Sequence, residues 1–489
     1  MGQRLVGPGM SVAQPPITLW RRVARWCVYV VFALVLLLVL LYAVFVVAMK
    51  VTESRWLVDQ PFHEAIDVQS ALPHELTLID GGAHSLAYRL RMIEQAQQTL
   101  DLEFFIYELD AASRIVTRAL AAKARQGVKV RVLVDFSLAV FELRPVYARE
   151  LAAAGVQVKY YNTASVVRLF SVQHRTHRKM LVVDGKSAMV GGRNIADPYF
   201  DLSPDYNFLD SDVVVSGAVV AAMQESFHLY WDSPWTSAPS VIADYGAPAA
   251  PILDARASDA ALLQRLASVP MDLPAYTCPT LRFVTDYPGA GLQNRRVYSA
   301  ITETLAHARS EVLAESPYFV LREEGLAAVH ALTEQGVRLK VLTNSLFSTD
   351  AYYTVAPLYF SLRELAAPGL SLFAYSGAAP QTTASFTGSE RWGVHSKRAV
   401  IDDDTIMIGT YNIDPRSANL NSELMLVCTG STELAAQMRA DLQSRMAASE
   451  LVIDGERVKS ERLLGAADWR SLALMGAVAP VASLFDILL

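Results

Sequence analysis

Residues 174–194 read HRTHRKMLVVDGKSAMVGGRN, and within them His177, Lys179, Asp184 and Asn194 fall at offsets 0, 2, 7 and 17. Residues 395–412 read HSKRAVIDDDTIMIGTYN and place His395, Lys397, Asp402 and Asn412 at the same offsets, 218 positions later. The chain has nine histidines, and one chance H-x-K-x4-D in such a chain is expected on the order of 0.01 times. Two copies, each extended by Gly and Asn at equal offsets, therefore mark a built constellation. Each copy has one outline: a β-rich segment, a turn at the aspartate and a second β-rich segment.

The duplication extends outward from these motifs. LRMIEQAQQTLDLEFFIYEL (90–109) reads as a helix and an apolar strand, and RIVTRALAAKARQGVKVRVLVD (114–135) repeats that order around Gly127. RRVYSAITETLAHARSEVLAESPYFV (295–320) and GLAAVHALTEQGVRLKVLTN (325–344) do the same around Gly336. QGVRLKVLTN copies QGVKVRVLVD, and the two glycines precede their histidines by 59 and 50 residues. The alternation predicts two α/β halves, each a mostly parallel sheet flanked by helices. We place the first lobe at 55–235 and the second at 281–460. Between them, 236–280 is rich in proline, with ALLQRLAS its one helix-like piece, and reads as a connection. The tail 461–489 is apolar but interrupted by Pro480 and Asp486, which suits an interfacial or core-docking helix better than a second span.

Residues 27–49, CVYVVFALVLLLVLLYAVFVVAM, run 23 positions without a charge. At ~1.5 Å per residue that crosses a ~30 Å hydrocarbon layer, so a single transmembrane helix is expected behind an N-terminal arm, 1–26. A cleaved signal peptide fits less well, because its apolar region is usually about 7 to 15 residues. Arg21, Arg22 and Arg25 precede the span and only Lys50 and Arg55 closely follow it, which favours a cytoplasmic N-terminus and an exported body. Trp20, Trp26, Tyr29 and Tyr42 suit interface positions. The first 50 residues hold five Lys/Arg and no Asp/Glu, which leaves the remaining chain at −11 against −6 for the whole. A body so acidic argues against a nonspecific nucleic-acid binder. Of three cysteines, Cys27 lies in the span; Cys278 and Cys428 read as small core residues that could pair only in an oxidising compartment.

Histidine and lysine at i and i+2 of a strand share a face and can meet one anion together. Imidazole supplies a nucleophile or proton carrier near neutral pH, and lysine a fixed positive charge. Asp184 and Asp402 are candidate partners for an imidazole N–H, although aspartate also favours turns for its own sake, and Asn194 and Asn412 offer neutral donors to phosphate oxygens. His174 and His177 form an H-x-x-H, but a lysine beside a divalent cation is unfavourable, so neither a metal nor a cofactor is called for.

With these residues the chain resembles the phospholipase D superfamily, marked by paired H-x-K-x4-D motifs each followed by G-x-x-N. The flanks GGRNIADPYF and NIDPRSANLNSE resemble its bacterial cardiolipin synthase branch, and R-T-H-R-K the short C-type members. The single N-terminal span departs from the two of classical cardiolipin synthases. The resemblance implies two pseudo-symmetric lobes whose motifs meet in one cleft. It implies a phosphatidyltransferase working through a phosphohistidine on His177, with His395 as acid and base, or the reverse. Lys179, Lys397, Asn194 and Asn412 would stabilise the phosphoryl oxygens. Asp212 in LDSDVVVSG and Glu423 after NLNS resemble the acidic residues that support the opposite motif's histidine, and Arg416 would either orient a lipid phosphate or hold its own loop. Expected substrates are phosphatidylglycerol as acceptor, with phosphatidylglycerol or phosphatidylethanolamine as donor, at a bacterial inner membrane with the body on the periplasmic side. A monomer is admitted. A hydrolytic phospholipase D and a membrane-anchored nuclease are the alternatives.

Overall fold

A computed structural model of the chain describes residues 17–58, 62–136, 143–164, 171–241, 251–380 and 388–482. It separates into two units, Met1–Arg55 and Trp56–Leu489. In the first, the helix Ile17–Val58 contains an apolar stretch, Val23–Phe45, of 23 residues. That stretch, ~35 Å at ~1.5 Å per residue, is long and apolar enough to cross a membrane. Residues 17–26, read from sequence as part of an arm, belong to this helix, and 1–16 lie outside the described residues.

The second unit contains the two halves, each built on one large sheet. In the first sheet Thr99–Phe104, Lys129–Asp135 and Val156–Tyr161 run parallel. The helices Ala111–Arg125 and Pro145–Ala153 make the crossovers between them. The hairpin Met180–Val183/Ser187–Gly191 extends the sheet antiparallel to Thr99–Phe104, followed by Asp212–Ser216 and His74–Ile79. The second sheet repeats the pattern. Glu311–Glu315, Arg338–Asn344 and Leu370–Tyr375 are parallel. The hairpin Arg398–Ile401/Thr405–Gly409, then Leu424–Thr429 and Thr280–Thr285, continue antiparallel. The sheets are thus mixed, where a mostly parallel arrangement was expected. Helical crossovers, which parallel pairing requires, join only the first three strands of each repeat, and the motif hairpins reverse direction through tight turns.

The two halves also exchange edge strands. Asp67–Ser70, ahead of the first half, pairs with Thr280–Thr285 of the second sheet. Tyr276–Cys278, ahead of the second half, pairs with His74–Ile79 of the first. Between the sheets, the helices Val219–Trp231 and Thr432–Ala447 contribute to one apolar core that includes Val182, Val215, Phe227, Leu281, Ile406, Leu426 and Leu434. Burying each such side chain contributes ~1.5–3 kcal/mol, so the core binds the halves into one body and gives the cleft a rigid frame.

Cys278 and Cys428, read from sequence as small core residues, form a disulfide with Cα atoms 5.9 Å apart. It joins the exchanged strand Tyr276–Cys278 of the first sheet to Leu424–Thr429 of the second. The exchange brings together two residues 150 positions apart, which spacing alone does not reveal. In the stretch read as a connection, the helix Ala257–Ala267 docks on the helices Gly82–Gln95 and Ala111–Arg125. Its Asp259 pairs with Arg114 at 2.8 Å and Arg118 at 2.5 Å. The helix Trp469–Ala482 of the tail packs on Tyr352–Leu365, and 483–489 lie outside the described residues.

Candidate active site

Both His–Lys pairs lie just ahead of a strand rather than within it, where the chain still borrows hydrogen bonds from the opposite half. The His177 N–H donates to the Ser422 carbonyl at 2.9 Å, and the His395 N–H to the Leu209 carbonyl at 2.7 Å. Leu209 ends the short strand Asn207–Leu209, which pairs in parallel with Trp392–Val394. Each histidine is thereby fixed on the residue immediately before a carboxylate of the other half, Glu423 or Asp210.

His177 Nδ1 lies 3.1 and 3.0 Å from the two Glu423 oxygens and 3.0 Å from the Thr410 carbonyl. All three are acceptors, so Nδ1 carries the proton and Nε2 retains its lone pair. Glu423 also accepts from Thr410 Oγ1 at 2.6 Å and Ser417 Oγ at 2.9 Å, which fixes its orientation. Burial, then Lys179 and Lys397, push His177 well below the ordinary imidazole range, leaving it neutral. Burial pushes Glu423 up to about 7, with Lys179 opposing.

His395 Nδ1 meets a single carboxylate, Asp210 Oδ2, at 2.6 Å. Burial would raise Asp210, but His395, Lys397 and Arg193 outweigh it and hold the carboxylate well below its usual range. Burial and Lys397 draw His395 down to about 4, against the pull of Asp210. Aromatic rings close around both imidazoles. Phe105 stands edge-on to His177 at 5.3 Å, and Tyr199 and Phe208 flank His395 at 5.1 and 4.9 Å.

Lys179 donates to the His177 carbonyl at 2.7 Å. Lys397 donates to the His395 carbonyl, and its Nζ lies 2.9 Å from His395 Nδ1 and 3.2 Å from Nε2. Both lysines are buried, and among the described residues neither forms a salt bridge with a carboxylate. Burial, then repulsion from Lys397, pushes Lys179 well below the ordinary lysine range, and burial lowers Lys397 to about 8. Two desolvated ammonium groups near each other are stabilised by an anion, and the site fits one. Asn194 accepts from the Ile106 N–H at 3.1 Å, and the buried Asn412 Oδ1 has no hydrogen-bond partner among the described residues.

The remaining carboxylates separate from the chemistry. Asp184 accepts from the backbone N–H groups of Gln97, Gln98 and Thr99 at 2.9, 2.7 and 2.8 Å. Asp402 does the same for Arg309, Ser310 and Glu311 at 2.9, 2.8 and 3.1 Å. Both occupy left-handed turns, with φ of 52° and 47°, a conformation aspartate tolerates better than most residues. They pin each motif hairpin to the start of the neighbouring strand, and the imidazoles take other partners. Asp212 likewise does not reach His395. It lies in the strand Asp212–Ser216, where it accepts from Ser85 Oγ at 2.5 Å and from Arg193 at 3.3 Å. Asp210, two residues earlier, is the partner that sequence reasoning missed. The available signal was positional: Glu423 stands just before its strand Leu424–Thr429, and Asp210 holds the comparable place ahead of Asp212–Ser216. Arg416 contacts Gln173 at 3.3 and 3.2 Å, and its charge acts on His177.

Comparison with known proteins bears on the family and the fold. The family model for the cardiolipin synthase phospholipase D-like domain matches residues 90–231 and 301–446. Cardiolipin synthase C of Escherichia coli (strain K12) is 28% identical over 388 residues, covering 71% of this chain and 80% of that protein. Cardiolipin synthase A of Pseudomonas entomophila (strain L48) is 31% identical over 369 residues, covering 75% and 67%. In fold, the chain is similar to the crystal structure of phosphatidylserine synthase from Haemophilus influenzae Rd KW20, with a TM-score of 0.61 at 14% identity, over 86% of this chain and 97% of that one. With its duplicated α/β body and a histidine–lysine pair in each half, the chain belongs to the cardiolipin synthase family of phospholipase D-like proteins and is a phosphatidyltransferase of that superfamily.

Proposed function

We propose that the protein makes cardiolipin by transferring a phosphatidyl group, through a phosphohistidine on His177, to the glycerol hydroxyl of phosphatidylglycerol. The observation that carries this reading is the unequal support of the two histidines across the interface. His177, neutral with its Nδ1 proton shared by Glu423 and Thr410, suits a nucleophile. His395, in a 2.6 Å pair with an ionised Asp210, suits a group that takes up and releases a proton.

In the first step Nε2 of His177 forms a bond to phosphorus while the P–O bond to the head-group alcohol breaks, and His395 gives that alcohol its proton. A bound phosphodiester places negative charge between Lys179 and Lys397, which raises the proton affinity of His395 and prepares it as the acid. In the second step His395 takes the proton of the incoming hydroxyl, whose oxygen bonds to phosphorus as the P–N bond to His177 breaks. The two lysines neutralise the non-bridging oxygens and the Asn412 amide N–H groups donate to them, with Asn194 aligning the loop. The relatives named cardiolipin synthase A and C support the acceptor, and phosphatidylglycerol or phosphatidylethanolamine would serve as donor.

We further read Val23–Phe45 as a membrane span with the body on the periplasmic side of the inner membrane. Arg21, Arg22 and Arg25 before the span and a disulfide suited to an oxidising compartment both support that orientation. The test is lipid mass spectrometry on a cardiolipin-free bacterial host expressing the chain or its His177→Ala and His395→Ala variants. Cardiolipin from the parent chain alone supports the reading. Phosphatidic acid in its place would assign the enzyme to hydrolysis.

A further inference from the structure

The two halves repeat each other, yet their contributions to the cleft differ at matching positions. N-I-A-D-P-Y in the first half aligns Tyr199 with Arg416 of N-I-D-P-R in the second. The bridges Tyr107–Ile195 and Phe319–Ile413 align Ile106 with Tyr318. The departure from symmetry has a consistent sense. His177 faces Phe105 and the charge of Arg416. His395 faces Tyr199 and feels the negative charge of Asp350, as Lys397 does.

Asp350 is exposed and is reached by the hydroxyl of Tyr318, 3.0 and 3.3 Å from its two oxygens. Among the described residues no lysine or arginine forms an ion pair with it. Its loop is fixed beside His395: the Tyr206 hydroxyl donates to the Ser348 carbonyl at 2.7 Å, Arg391 donates to the Thr349 carbonyl at 2.8 Å, and Tyr206 packs on Phe208, whose ring lies 4.9 Å from His395. When a phosphodiester anion binds and displaces water nearby, this carboxylate repels it unless the bound alcohol offers the carboxylate hydrogen bonds or positive charge. The tyrosine hydroxyl occupies part of its accepting capacity and leaves lone pairs for a further donor.

We propose that Asp350, oriented by Tyr318, is the recognition group for the alcohol that His395 protonates on departure and deprotonates on arrival. Its ligand is an alcohol bearing further hydrogen-bond donors, either the vicinal hydroxyls of a glycerol unit or the ammonium of an amino alcohol. Arg416, held on Gln173 and acting on His177, leaves the negatively charged part of the substrate to His177. This assignment rests on the phosphatidyl-transfer reading above and adds the residue that selects the alcohol.

The test uses the full chain in mixed micelles with phosphatidylglycerol as donor and an equimolar mixture of deuterated glycerol, ethanolamine and ethanol. Mass spectrometry reads the ratio of the phosphatidyl products. That ratio is internal to each reaction, so it does not depend on how much folded enzyme a variant yields. The parent chain is expected to favour glycerol or ethanolamine over ethanol. Asp350→Asn and Asp350→Ala should each reduce that preference roughly tenfold, the scale of one hydrogen bond to a charged group. Asp350→Glu should retain it and Tyr318→Phe should reduce it in part. A loss confined to ethanolamine identifies an amino-alcohol ligand, and a loss that includes glycerol identifies a polyol. Ratios unchanged in both Asp350→Asn and Asp350→Ala would overturn the assignment. If the parent chain formed neither a phosphatidyl product nor phosphatidic acid, the transfer reading itself would fall, and with it this assignment.

Discussion

Replacing Asp210 by Asn and Glu423 by Gln should have opposite signatures on activated and natural substrates, because in the proposed mechanism the two carboxylates support different steps. Asn at 210 can still accept the hydrogen bond from His395 Nδ1, now 2.6 Å from the Asp210 carboxylate, but removes the charge that stabilises the imidazolium. Unit charges ~4 Å apart attract by ~4 kcal/mol at an effective dielectric of about 20. A retained neutral hydrogen bond recovers ~1 kcal/mol. The remaining ~3 kcal/mol corresponds to a roughly 10²-fold loss of kcat with natural lipid, whose alkoxide needs a proton to leave. A p-nitrophenyl phosphodiester leaves without that proton, so Asp210→Asn should still form the phosphoenzyme from it at near the parent rate. Its second step would lack an effective base, and an acid-labile adduct on His177 should accumulate. Glu423→Gln weakens the nucleophile and should slow both substrates alike. The assay is quenched-flow release of p-nitrophenol, with intact-mass detection of the adduct and circular dichroism to confirm folding. If Glu423→Gln proved to be the variant rescued by the activated ester, the roles of His177 and His395 would be reversed. If neither variant lost more than about tenfold on lipid, the cross-interface pairs would not take part in the chemistry.

Further outcomes follow from the same geometry. Asp184→Ala and Asp402→Ala, each releasing three backbone donors, should lower stability by ~1–3 kcal/mol with activity per folded molecule within a few-fold of the parent, as thermal melts beside active-site titration will read. Three N–H donors hold Asp184 below its ordinary range and Ser310, Glu311 and Arg309 hold Asp402 at about 2, in both cases against burial, which raises them. Their stabilising contribution should therefore be full above the unfolded carboxylate pKa, ~3.9, and fade as pH falls towards 2. Cys278→Ala removes a crosslink across 150 residues. By loop entropy alone this costs up to ~5 kcal/mol, visible as a lower unfolding midpoint that reductant reproduces in the parent. With Lys397 lowered to about 8 by burial, kcat/KM for the free enzyme should fall as pH rises through that region. The corresponding limb in kcat should lie higher, because bound phosphodiester stabilises the ammonium; a pH profile with no alkaline limb below 10 would contradict this.

The sequence alone established the duplication, the two histidine–lysine pairs and the apolar N-terminal stretch, since each is a local pattern of spacing or composition. It also pointed to Glu423, through a short run at a strand start. Other features depended on how distant segments meet. Asp210 and Asp212 are two residues apart and chemically identical, and only the fold turns one onto His395 while the other enters the Arg193 and Ser85 cluster. The exchange of Asp67–Ser70 and Tyr276–Cys278 between sheets, which brings Cys278 to Cys428, has no local signature because strand pairing is a long-range choice. Asp184 and Asp402 read as part of the chemistry because they recur with the histidines. They recur because each hairpin needs the same anchor for its turn, and repetition by itself does not separate a structural requirement from a catalytic one. That separation came from the tertiary structure, where the direction in which each carboxylate points decides what it binds.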